Sequence, residues 1–350
     1  MARVLAFINP ALSTQNVGDL FIEDSIRRIL DYDREHSVEI DPRKPITAKD
    51  IDRINATEAA VILGTNLWYR DMARPGRWMF TAEQLRQVRV PIIPMGMGTT
   101  RHEGEDNGFD EDTLRQLRII HASCQLGGVR DPRTAEALDQ AGIRNLAMTG
   151  CPTMFRSLSP VWPKRPVSTA KQVVVTVRKG QRDNVNRLIK LLRDRGLSPI
   201  VAAQQSKDLF LKRWIPFWQQ PVPTLYEYSL TPYQQLIENS IGAIGWRLHG
   251  NMLHLAHGNP AILVSNCSRG DSFCEAFRLP RRRCEDHRRL DTPALNELID
   301  LLLTPDTFAH LPARYMEHRA SLVAFLDANQ LSHRLRTATV SSSRIQDRAA

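Results

Sequence analysis

Arg247 and His249 lie two residues apart in the segment Gly245–Gly250, which reads GWRLHG. Arginine carries a permanent positive charge and can bind a carboxylate or phosphate through parallel hydrogen bonds. Histidine can donate or accept a proton near neutral pH. Histidines more often have structural roles, and we interpret the neighbouring His254 and His257 in that way. The pair Arg247 and His249 therefore predicts anion binding together with general acid–base catalysis.

Two other arginines directly follow short apolar runs. Arg130 follows Gln125–Val129, and Arg178 follows Val173–Val177. An arginine at the end of a buried strand can bind a carboxylate or a phosphate. Arg130 could equally pair with the neighbouring Asp131, so its side chain has two interpretations. Both arginines are candidates for binding an anionic ligand.

Polar residues and glycines follow several of the apolar runs in the first half of the chain. The segment Asn16–Asp19, which reads NVGD, precedes an amphipathic stretch, and Gly18 permits a close backbone approach. The N-terminus of a helix also favours an anion or a polar ligand. For this segment the alternative is an ordinary helix start with Asp19 as its N-cap. The segments Gly64–Asn66 and Gly96–Gly98 also follow apolar runs, and for them the alternative is an ordinary tight turn. We predict that these residues bind a polar ligand.

Nine short apolar runs alternate with amphipathic stretches along the chain. Most of the runs are continuously apolar, which is typical of strands buried on both faces of a parallel sheet. Alternating strands and helices favour right-handed βαβ units, and ligands of such sheets bind beyond the carboxyl ends of the strands. The sequence thus predicts an α/β fold that gathers the residues above at a sheet edge. The runs are Val4–Ile8, Ala59–Leu63, Pro91–Met95, Gln125–Val129, Leu146–Thr149, Val173–Val177, Pro199–Ala203, Ile241–Gly245 and Pro260–Val264.

The stretch 159–171 contains three prolines and no periodicity, which predicts a linker. It separates an N-terminal Rossmann-like domain, residues 1–158, from a C-terminal Rossmann-like domain, residues 172–330. Because domains run ~100–200 residues, a chain of this length has room for two. Residues 337–350 are polar and rich in serine, and we predict a flexible tail there.

The composition is that of an ordinary globular protein with a net charge of +9. The positive charge favours anionic partners, although a solvated basic surface with no specific partner explains it equally well. The five cysteines show no C-x-x-C spacing, which disfavours a disulfide framework or a zinc site. Free thiols are typical of the cytosol. With no visible signal peptide and no apolar run of ~20 residues, we expect a soluble cytoplasmic protein.

Six arginines lie between Arg278 and Arg289. Such a run is usually a solvated face, but it could also contact a membrane surface or a diphosphate-bearing lipid carrier. The run lacks interleaved aromatic residues and a helix-turn-helix pattern, so we expect no nucleic-acid partner. Peripheral contact with the inner face of a membrane stays open, as does formation of an oligomer.

Taken in order, several segments resemble the polysaccharide pyruvyl transferase family across most of the chain. They are Asn16–Asp19, Gly96–Gly98, Val129–Thr134, Thr149–Pro152, Arg247–His249 and Gly258–Pro260. Three positions depart from the family pattern. Cys151 stands where aspartate is common, Gly64–Asn66 where a run of glycines is common, and Arg269 where lysine is common. These departures leave the acceptor pocket less well specified than the donor side.

The resemblance implies a fold like that of GT-B glycosyltransferases, with two Rossmann-like domains facing a cleft. It implies transfer of pyruvate from phosphoenolpyruvate to two hydroxyls of a sugar in a polysaccharide or glycan precursor. The products are a cyclic pyruvate ketal and phosphate. Phosphoenolpyruvate is then a co-substrate, and no cofactor and no metal are expected. The resemblance does not specify the acceptor sugar or whether it is lipid-linked.

Resemblance and position together assign roles to the candidate residues. His249, Arg247 and Asp19 are predicted to be catalytic, with His249 as the general acid–base. The donor is predicted to contact Arg130, Arg247, Leu248 and Arg178. The acceptor is predicted to contact Asn16, Gly18, Asp19, Asn66 and Gly98 from the opposing domain.

Two other functions stay open at the level of sequence, because a fold does not decide chemistry. A nucleotide-sugar glycosyltransferase of the same fold would bind a UDP- or GDP-sugar. A non-catalytic protein that binds sugar polyphosphates or nucleic acid would use the basic surface, and its binding would be sensitive to salt.

Overall fold

The computed structural model describes residues 2–99, 108–158, 171–213, 222–284 and 288–337. They form two α/β halves, each built on a parallel sheet. Almost all of the predicted linker at 159–171 and of the predicted tail at 337–350 lies outside the described residues. Among the residues described, no helix combines the length and apolar character needed to cross a membrane.

The first half contains a four-stranded parallel sheet in the order β2-β1-β3-β4. Its strands are β1 (Leu5–Ile8), β2 (Val38–Ile40), β3 (Ala59–Leu63) and β4 (Ile92–Met95). A parallel pair, β5 (Gly127–Val129) and β6 (Leu146–Met148), continues this sheet. The connection is made at Met97, whose N–H donates to the Gly128 carbonyl at 2.9 Å. The helices are α1 (Val17–Ile29), α2 (Ala48–Asn55), α3 (Ala82–Gln87), α4 (Glu111–Ala122) and α5 (Pro132–Gln140), with 3-10 turns at Pro10–Ser13 and Pro152–Phe155.

The second half contains a six-stranded parallel sheet in the order β12-β11-β10-β7-β8-β9. From β9 this is the third-second-first-fourth-fifth-sixth order of a Rossmann fold. The strands are β7 (Gln172–Val177), β8 (Ser198–Ala203), β9 (Thr224–Leu225), β10 (Gly242–Gly245), β11 (Ala261–Ser265) and β12 (Arg281–Arg283). The helices are α6 (Arg182–Asp194), α7 (Thr231–Glu238), α8 (Leu248–Ala256), α9 (Ser268–Phe277), α10 (Thr292–Leu303) and α11 (Leu311–Ala328), with 3-10 turns at Ser206–Arg213, Pro305–Phe308 and Arg334–Thr337. The predicted α/β class with two Rossmann-like halves is confirmed.

Central strands are buried along their length, as their continuous apolar runs predict. In the first sheet Phe7 lies opposite Val61 of β3, and in the second Ala243 of β10 lies opposite Val174 and Ala261. Both faces of these strands are covered by helices. The polar groups that follow the strands are therefore displaced to the carboxyl edges.

Three residues of the arginine-rich segment, Arg281–Arg283, form the edge strand β12, and acidic neighbours bind two of them. Arg281 donates to a Glu275 carboxylate oxygen at 2.8 Å and to the Asp271 carbonyl at 2.8 Å. Arg282 lies 3.6 Å from a carboxylate oxygen of Glu297. The strand is exposed or half-buried at each of its three positions, which allows arginine at successive positions. These ion pairs therefore neutralise part of the positive charge of the arginine-rich segment within the second half.

Helix α11 falls in the range predicted for the second domain, yet it packs against β5 and β6 of the first. Beyond its end, the Asn329 side chain accepts from the Gln125 N–H at 3.1 Å and donates to the Leu126 carbonyl at 2.9 Å. Further along, the Asp31 N–H donates to the Ser332 carbonyl at 2.8 Å. The end of the described chain therefore fastens the second half to the first.

Other contacts hold the two halves together beside the cleft. The N–H of Val17 donates to the Gln204 carbonyl at 3.0 Å, joining α1 to the loop after β8. Arg156 is buried; it donates to Asp24 of α1 at 2.6 Å and lies 3.0 Å from the ring of His257. Since a buried charge is costly without partners, these bonds favour the closed arrangement of the halves.

His121 of α4 gives a pH dependence to the stability of the first half. It is buried, neither ring nitrogen has a partner among the described residues, and burial lowers its pKa to about 4. An unfolded histidine titrates near ~6.5. As pH falls from there to about 4 the unfolded chain binds more protons, so the free energy of unfolding decreases by on the order of 3 kcal/mol.

We therefore expect His121→Leu to reduce the decrease in the free energy of unfolding between pH 7 and pH 4. Urea denaturation of both proteins at pH 7 and pH 4 measures it, because titrations common to the two proteins cancel in the difference. Equal losses of stability in wild type and variant would show that His121 titrates normally in the folded protein.

Candidate active site

A cavity of about 660 Å³ lies where the carboxyl edges of the two sheets face each other. This size is ordinary for a small-molecule site. The first half contributes Thr14, Asn16, Asp19, Arg43, Thr65, Asn66 and Tyr69, and the second half contributes Arg178, Lys179, Gln204, Gln205, Lys207, Trp246, Arg247, Leu248, His249, Asn266, Cys267 and Arg269, among others. The structure thus brings together most of the predicted site residues. Gly18, Gly98 and Arg130 lie beneath the lining.

Arg247 occupies the turn between β10 and α8. Its Nε donates to the Val177 carbonyl at 3.3 Å, and its Nη2 donates to Gln205 Oε1 at 3.2 Å. The same Nη2 forms an ion pair with Asp208, whose side chain is fully buried. The guanidinium is therefore fixed on one side, and Nη1 is its nitrogen without a partner among the described residues. Asp208 was not among the residues predicted from the sequence.

His249 is the second residue of α8 and faces the first half across the cleft. The residue as a whole is partly exposed, but its Nε2 is buried and has no hydrogen-bond partner among the described residues. Burial lowers the pKa of His249 to about 3, and the positive charges of Arg130, Arg269 and Arg247 act in the same direction. The imidazole is therefore neutral at pH 7 before any anion binds.

Asn16, not Asp19, caps helix α1. Its side-chain oxygen accepts from the Gly18 N–H at 3.2 Å. Asp19 is thereby left facing the cavity, where Oδ1 accepts from the Thr65 hydroxyl at 3.2 Å and from the Asn16 amide at 3.4 Å. Burial raises the pKa of Asp19, and the charge of Arg43 opposes that shift only in part. A carboxylate with a raised pKa is a stronger base than an exposed one.

Gly18 makes room for His249 where the two halves meet. A Cβ atom at this position would lie 2.7 Å from His249 Nδ1 and 3.3 Å from the Asn16 side-chain oxygen. Real Cβ contacts are essentially never closer than 3.0 Å. The glycine of the NVGD segment therefore allows the start of α1 to approach the imidazole.

Arg130 lies below the cavity wall instead of in it. It is buried, donates through Nη2 to Asn66 Oδ1, and donates through Nε to Asp131 at 3.4 Å. A Cβ atom at Gly98 would lie 2.4 Å from Arg130 Nε, so that glycine provides space for the guanidinium. Asp131 also accepts from the Ser272 hydroxyl of the second half at 3.3 Å. In this arrangement Arg130 supports Asn66 and keeps a positive charge near His249.

The wall formed by the second half is strongly cationic. Among the described residues, five basic side chains line it: Arg178, Lys179, Lys207, Arg247 and Arg269. They follow β7, β8, β10 and β11, and Arg178 is oriented by a 2.9 Å hydrogen bond to Asn266. Convergent cations in a cavity favour an anionic ligand. Within the described ranges, no group of three histidine, cysteine or acidic residues is arranged to hold a metal ion.

Cys267 lies in the same wall, directly before α9. Burial raises the pKa of its thiol, but Arg269, the Gly270 N–H and Arg178 outweigh burial, so the net shift is downward. The other cysteines, Cys124, Cys151, Cys274 and Cys284, are buried. Sequence reasoning did not select Cys267. The signal available was its place one residue before the start of a helix and two before an arginine.

Several solved structures share this fold. MnaA from S. aureus, in a structure with UDP, has a TM-score of 0.54 and 10% identity, with 95% of this chain and 99% of that chain covered. UDP-GlcNAc 2-epimerase from Neisseria meningitidis, bound to UDP-GlcNAc, has a TM-score of 0.53 and 11% identity, covering 93% and 99%. A putative UDP-N-acetylglucosamine 2-epimerase from Listeria monocytogenes has a TM-score of 0.52 and 10% identity, covering 91% and 94%. At this identity the likeness shows the fold alone, and it confirms the predicted GT-B-like pair of domains.

No curated protein sequence matches the chain. Residues 16–268 match the family model described as Polysaccharide pyruvyl transferase. The match covers more than half of the chain and includes NVGD and the Arg247–His249 segment. It also favours pyruvyl transfer over the nucleotide-sugar glycosyltransferase that the sequence left open. The chain therefore belongs to the polysaccharide pyruvyl transferase family, enzymes of pyruvyl transfer onto polysaccharide.

Proposed function

We propose that this protein transfers pyruvate from phosphoenolpyruvate onto two hydroxyls of one sugar in a polysaccharide or glycan precursor. A cyclic pyruvate ketal forms and phosphate is released. The observation that carries the proposal is the cavity itself, in which a cationic wall faces the carboxylate of Asp19. Phosphoenolpyruvate carries a carboxylate and a phosphate, so it matches the cationic side. A sugar offers hydroxyls, which match the side that holds Asn16, Asp19 and Asn66.

The donor side must bind the carboxylate and the phosphate of phosphoenolpyruvate, which lie at a fixed separation. Arg178, Lys179, Lys207 and Arg269 supply positive charge along the wall, and Arg247 supplies Nη1. Leu248 adds an apolar contact beside the donor methylene. Charges fixed before the reaction stabilise the phosphate as it leaves, without reorganising during the step. We propose that the side chains alone supply this stabilisation, with no metal and no cofactor beyond the co-substrate.

The chemistry requires a proton on the methylene carbon and the loss of a proton from each hydroxyl. Protonation makes the neighbouring carbon electrophilic, and the first hydroxyl adds there while losing its proton to a base. The second hydroxyl then closes the ring as the bond to phosphate breaks, and its proton leaves with the phosphate. The two hydroxyl protons thus account for the new methyl hydrogen and the proton on phosphate.

His249 and Asp19 divide these proton transfers in our proposal. Asp19, with its raised pKa, accepts the proton of the attacking hydroxyl on the acceptor side. His249 protonates the methylene carbon, which requires that it gain a proton once the donor is bound. Asn16 and Asn66 orient the sugar, and Arg130 holds Asn66 from below.

Proton uptake on donor binding follows from this arrangement. Before binding, burial and the nearby arginines keep the pKa of His249 at about 3. A bound polyanion opposes the charges of Arg130, Arg247 and Arg269, so the pKa rises in the complex. A group with a higher pKa in the complex takes up a proton between the two pKa values, and donor affinity then increases as pH falls.

We expect calorimetric titrations of phosphoenolpyruvate, in buffers of different ionisation enthalpy, to show this uptake. The His249→Ala variant corrects for protonation of the donor phosphate. An identical proton count in wild type and variant would remove His249 from the proton transfer.

Alkylation of Cys267 provides a test of donor binding that needs no acceptor. Because its pKa is lowered and its side chain partly exposed, we expect iodoacetamide to modify Cys267 faster than the buried cysteines. Saturating phosphoenolpyruvate should slow that modification, as measured by peptide mass spectrometry. Cys267→Ser identifies the peptide. An unchanged rate with donor present would place the donor elsewhere.

The direct test is incubation with phosphoenolpyruvate and a panel of sugar acceptors. The expected result is phosphate release coupled to an acceptor mass gain that matches a pyruvate ketal. A parallel thermal-shift series compares phosphoenolpyruvate with UDP- and GDP-sugars. Stabilisation by a nucleotide-sugar alone, with no phosphate released from phosphoenolpyruvate, would overturn the proposal in favour of a glycosyltransferase.

A further inference from the structure

Asp208 joins three loops at the carboxyl edge of the second sheet. It lies in the 3-10 turn Ser206–Arg213 after β8, and its side chain is fully buried. Its carboxylate accepts from the Lys179 N–H at 3.2 Å and from the Gln205 N–H at 3.1 Å. It also accepts from Arg247 Nη2. The loops after β7, β8 and β10 therefore converge on one carboxylate.

These contacts determine which part of Arg247 can reach a ligand. Asp208 and Gln205 engage Nη2, and the Val177 carbonyl engages Nε. Arginine has a flexible stem, so a fixed guanidinium needs such partners. The nitrogen left for the cavity is Nη1, the one with no partner in the described part of the chain.

We propose that Asp208 is a positioning residue, which holds the guanidinium of Arg247 so that Nη1 points to the anionic donor. The inference rests on the proposed function, since it assumes that Arg247 binds phosphoenolpyruvate. Asp208 itself does not line the cavity, and it acts through Arg247. The hydrogen bonds that the carboxylate accepts from the backbone N–H groups of Lys179 and Gln205 keep it in place while the donor enters and the product leaves.

Positioning and plain electrostatics predict opposite results for this residue. A buried negative charge near an anion site repels the anion. If that were its main effect, Asp208→Asn would bind phosphoenolpyruvate more tightly. If Asp208 positions Arg247, the same variant binds more weakly, because the charge-assisted bond that fixes the guanidinium is lost.

The experiment measures phosphoenolpyruvate binding by calorimetry in four proteins: wild type, Asp208→Asn, Arg247→Met and the double variant. We expect Asp208→Asn to weaken binding about tenfold, the usual scale for one charge-assisted hydrogen bond. In the Arg247→Met background the same change should have little further effect. Asp291→Asn is the matched control, because Asp291 also accepts a backbone N–H, at 2.8 Å, caps α10 and is not among the residues that line the cavity.

The outcomes distinguish the positioning role of Asp208 from the assignment of Arg247 to donor binding. Unchanged or tighter binding by folded Asp208→Asn, with Arg247→Met impaired, would overturn the positioning role alone. Wild-type binding by Arg247→Met would instead overturn the assignment of Arg247 to the donor. If Asp208→Asn does not fold, Asp208→Glu replaces it, because it keeps the negative charge and moves the carboxylate relative to Arg247 Nη2. Weaker binding by Asp208→Glu that depends on Arg247 supports the positioning role, and unchanged binding overturns it.

Discussion

Replacing His249 by alanine is expected to lower turnover by a factor on the order of 10²–10⁴, the usual contribution of a general acid–base. The fold should persist, because the ring accepts and donates no hydrogen bond through the buried Nε2 in the described structure. Arg247 and Arg269 remain in the cavity wall, so donor binding should weaken much less than turnover. Phosphate release from phosphoenolpyruvate, measured with a confirmed acceptor, tests this expectation.

His257 provides a control on the same helix. It lies at the opposite end of α8, where its ring contacts Arg156, and it does not line the cavity. We expect His257→Gln to keep turnover within a few-fold of wild type. Near-normal phosphate release by folded His249→Ala would show that another group handles the proton, with Asp19 as the next candidate.

The sequence predicts where the site lies better than it predicts which side chains contact one another there. Strands buried on both faces are written as continuous apolar runs, so their carboxyl ends can be located without a structure. Residues shortly after those ends then lie at a sheet edge, Asn66 at the first sheet and Arg178 and Arg247 at the second. The cavity contains all three because the two edges face each other, which depends on contacts between the halves and not on local sequence.

The direction of a side chain after a strand is harder to predict. Successive residues of an extended chain point to opposite faces, so a difference of one residue moves a side chain out of the cavity. Arg130 shows the consequence, because it follows β5 as expected but points under Asn66. Asp208 shows the complementary case. Its role depends on backbone N–H groups and an arginine up to 39 residues away, and no local pattern marks it.

Edge strands are the second feature that is hard to predict from the sequence. The prediction missed β2 and β9, which are three and two residues long and lie at sheet edges. It also interpreted the segment that contains β12 as a solvated face, because a run of arginines usually is one. Only pairing with β11 and ion pairs to neighbouring helices make that strand, and both are contacts between distant parts of the chain.

Substituting alanine for Gly18 should reduce turnover roughly a hundredfold, although it adds only a methyl group. The new Cβ would lie 2.7 Å from His249 Nδ1, so the imidazole or the whole first half must move. A displacement of about 1 Å in a catalytic group can cost on the order of 10² in rate. Helix propensity acts in the opposite direction, because alanine is favoured over glycine within α1 by ~1 kcal/mol.

The two effects can be separated by measuring stability and turnover together. Thermal unfolding should show little loss for Gly18→Ala, whereas phosphate release should fall steeply. Gly108→Ala is the control, because among the described residues no atom apart from its chain neighbours lies within 4 Å of a Cβ built there. In the His249→Ala background, the substitution at Gly18 should have almost no further effect, since the ring it contacts is absent. A Gly18→Ala enzyme with wild-type turnover would mean that α1 and His249 do not meet in the transition state, and that the halves separate before the reaction.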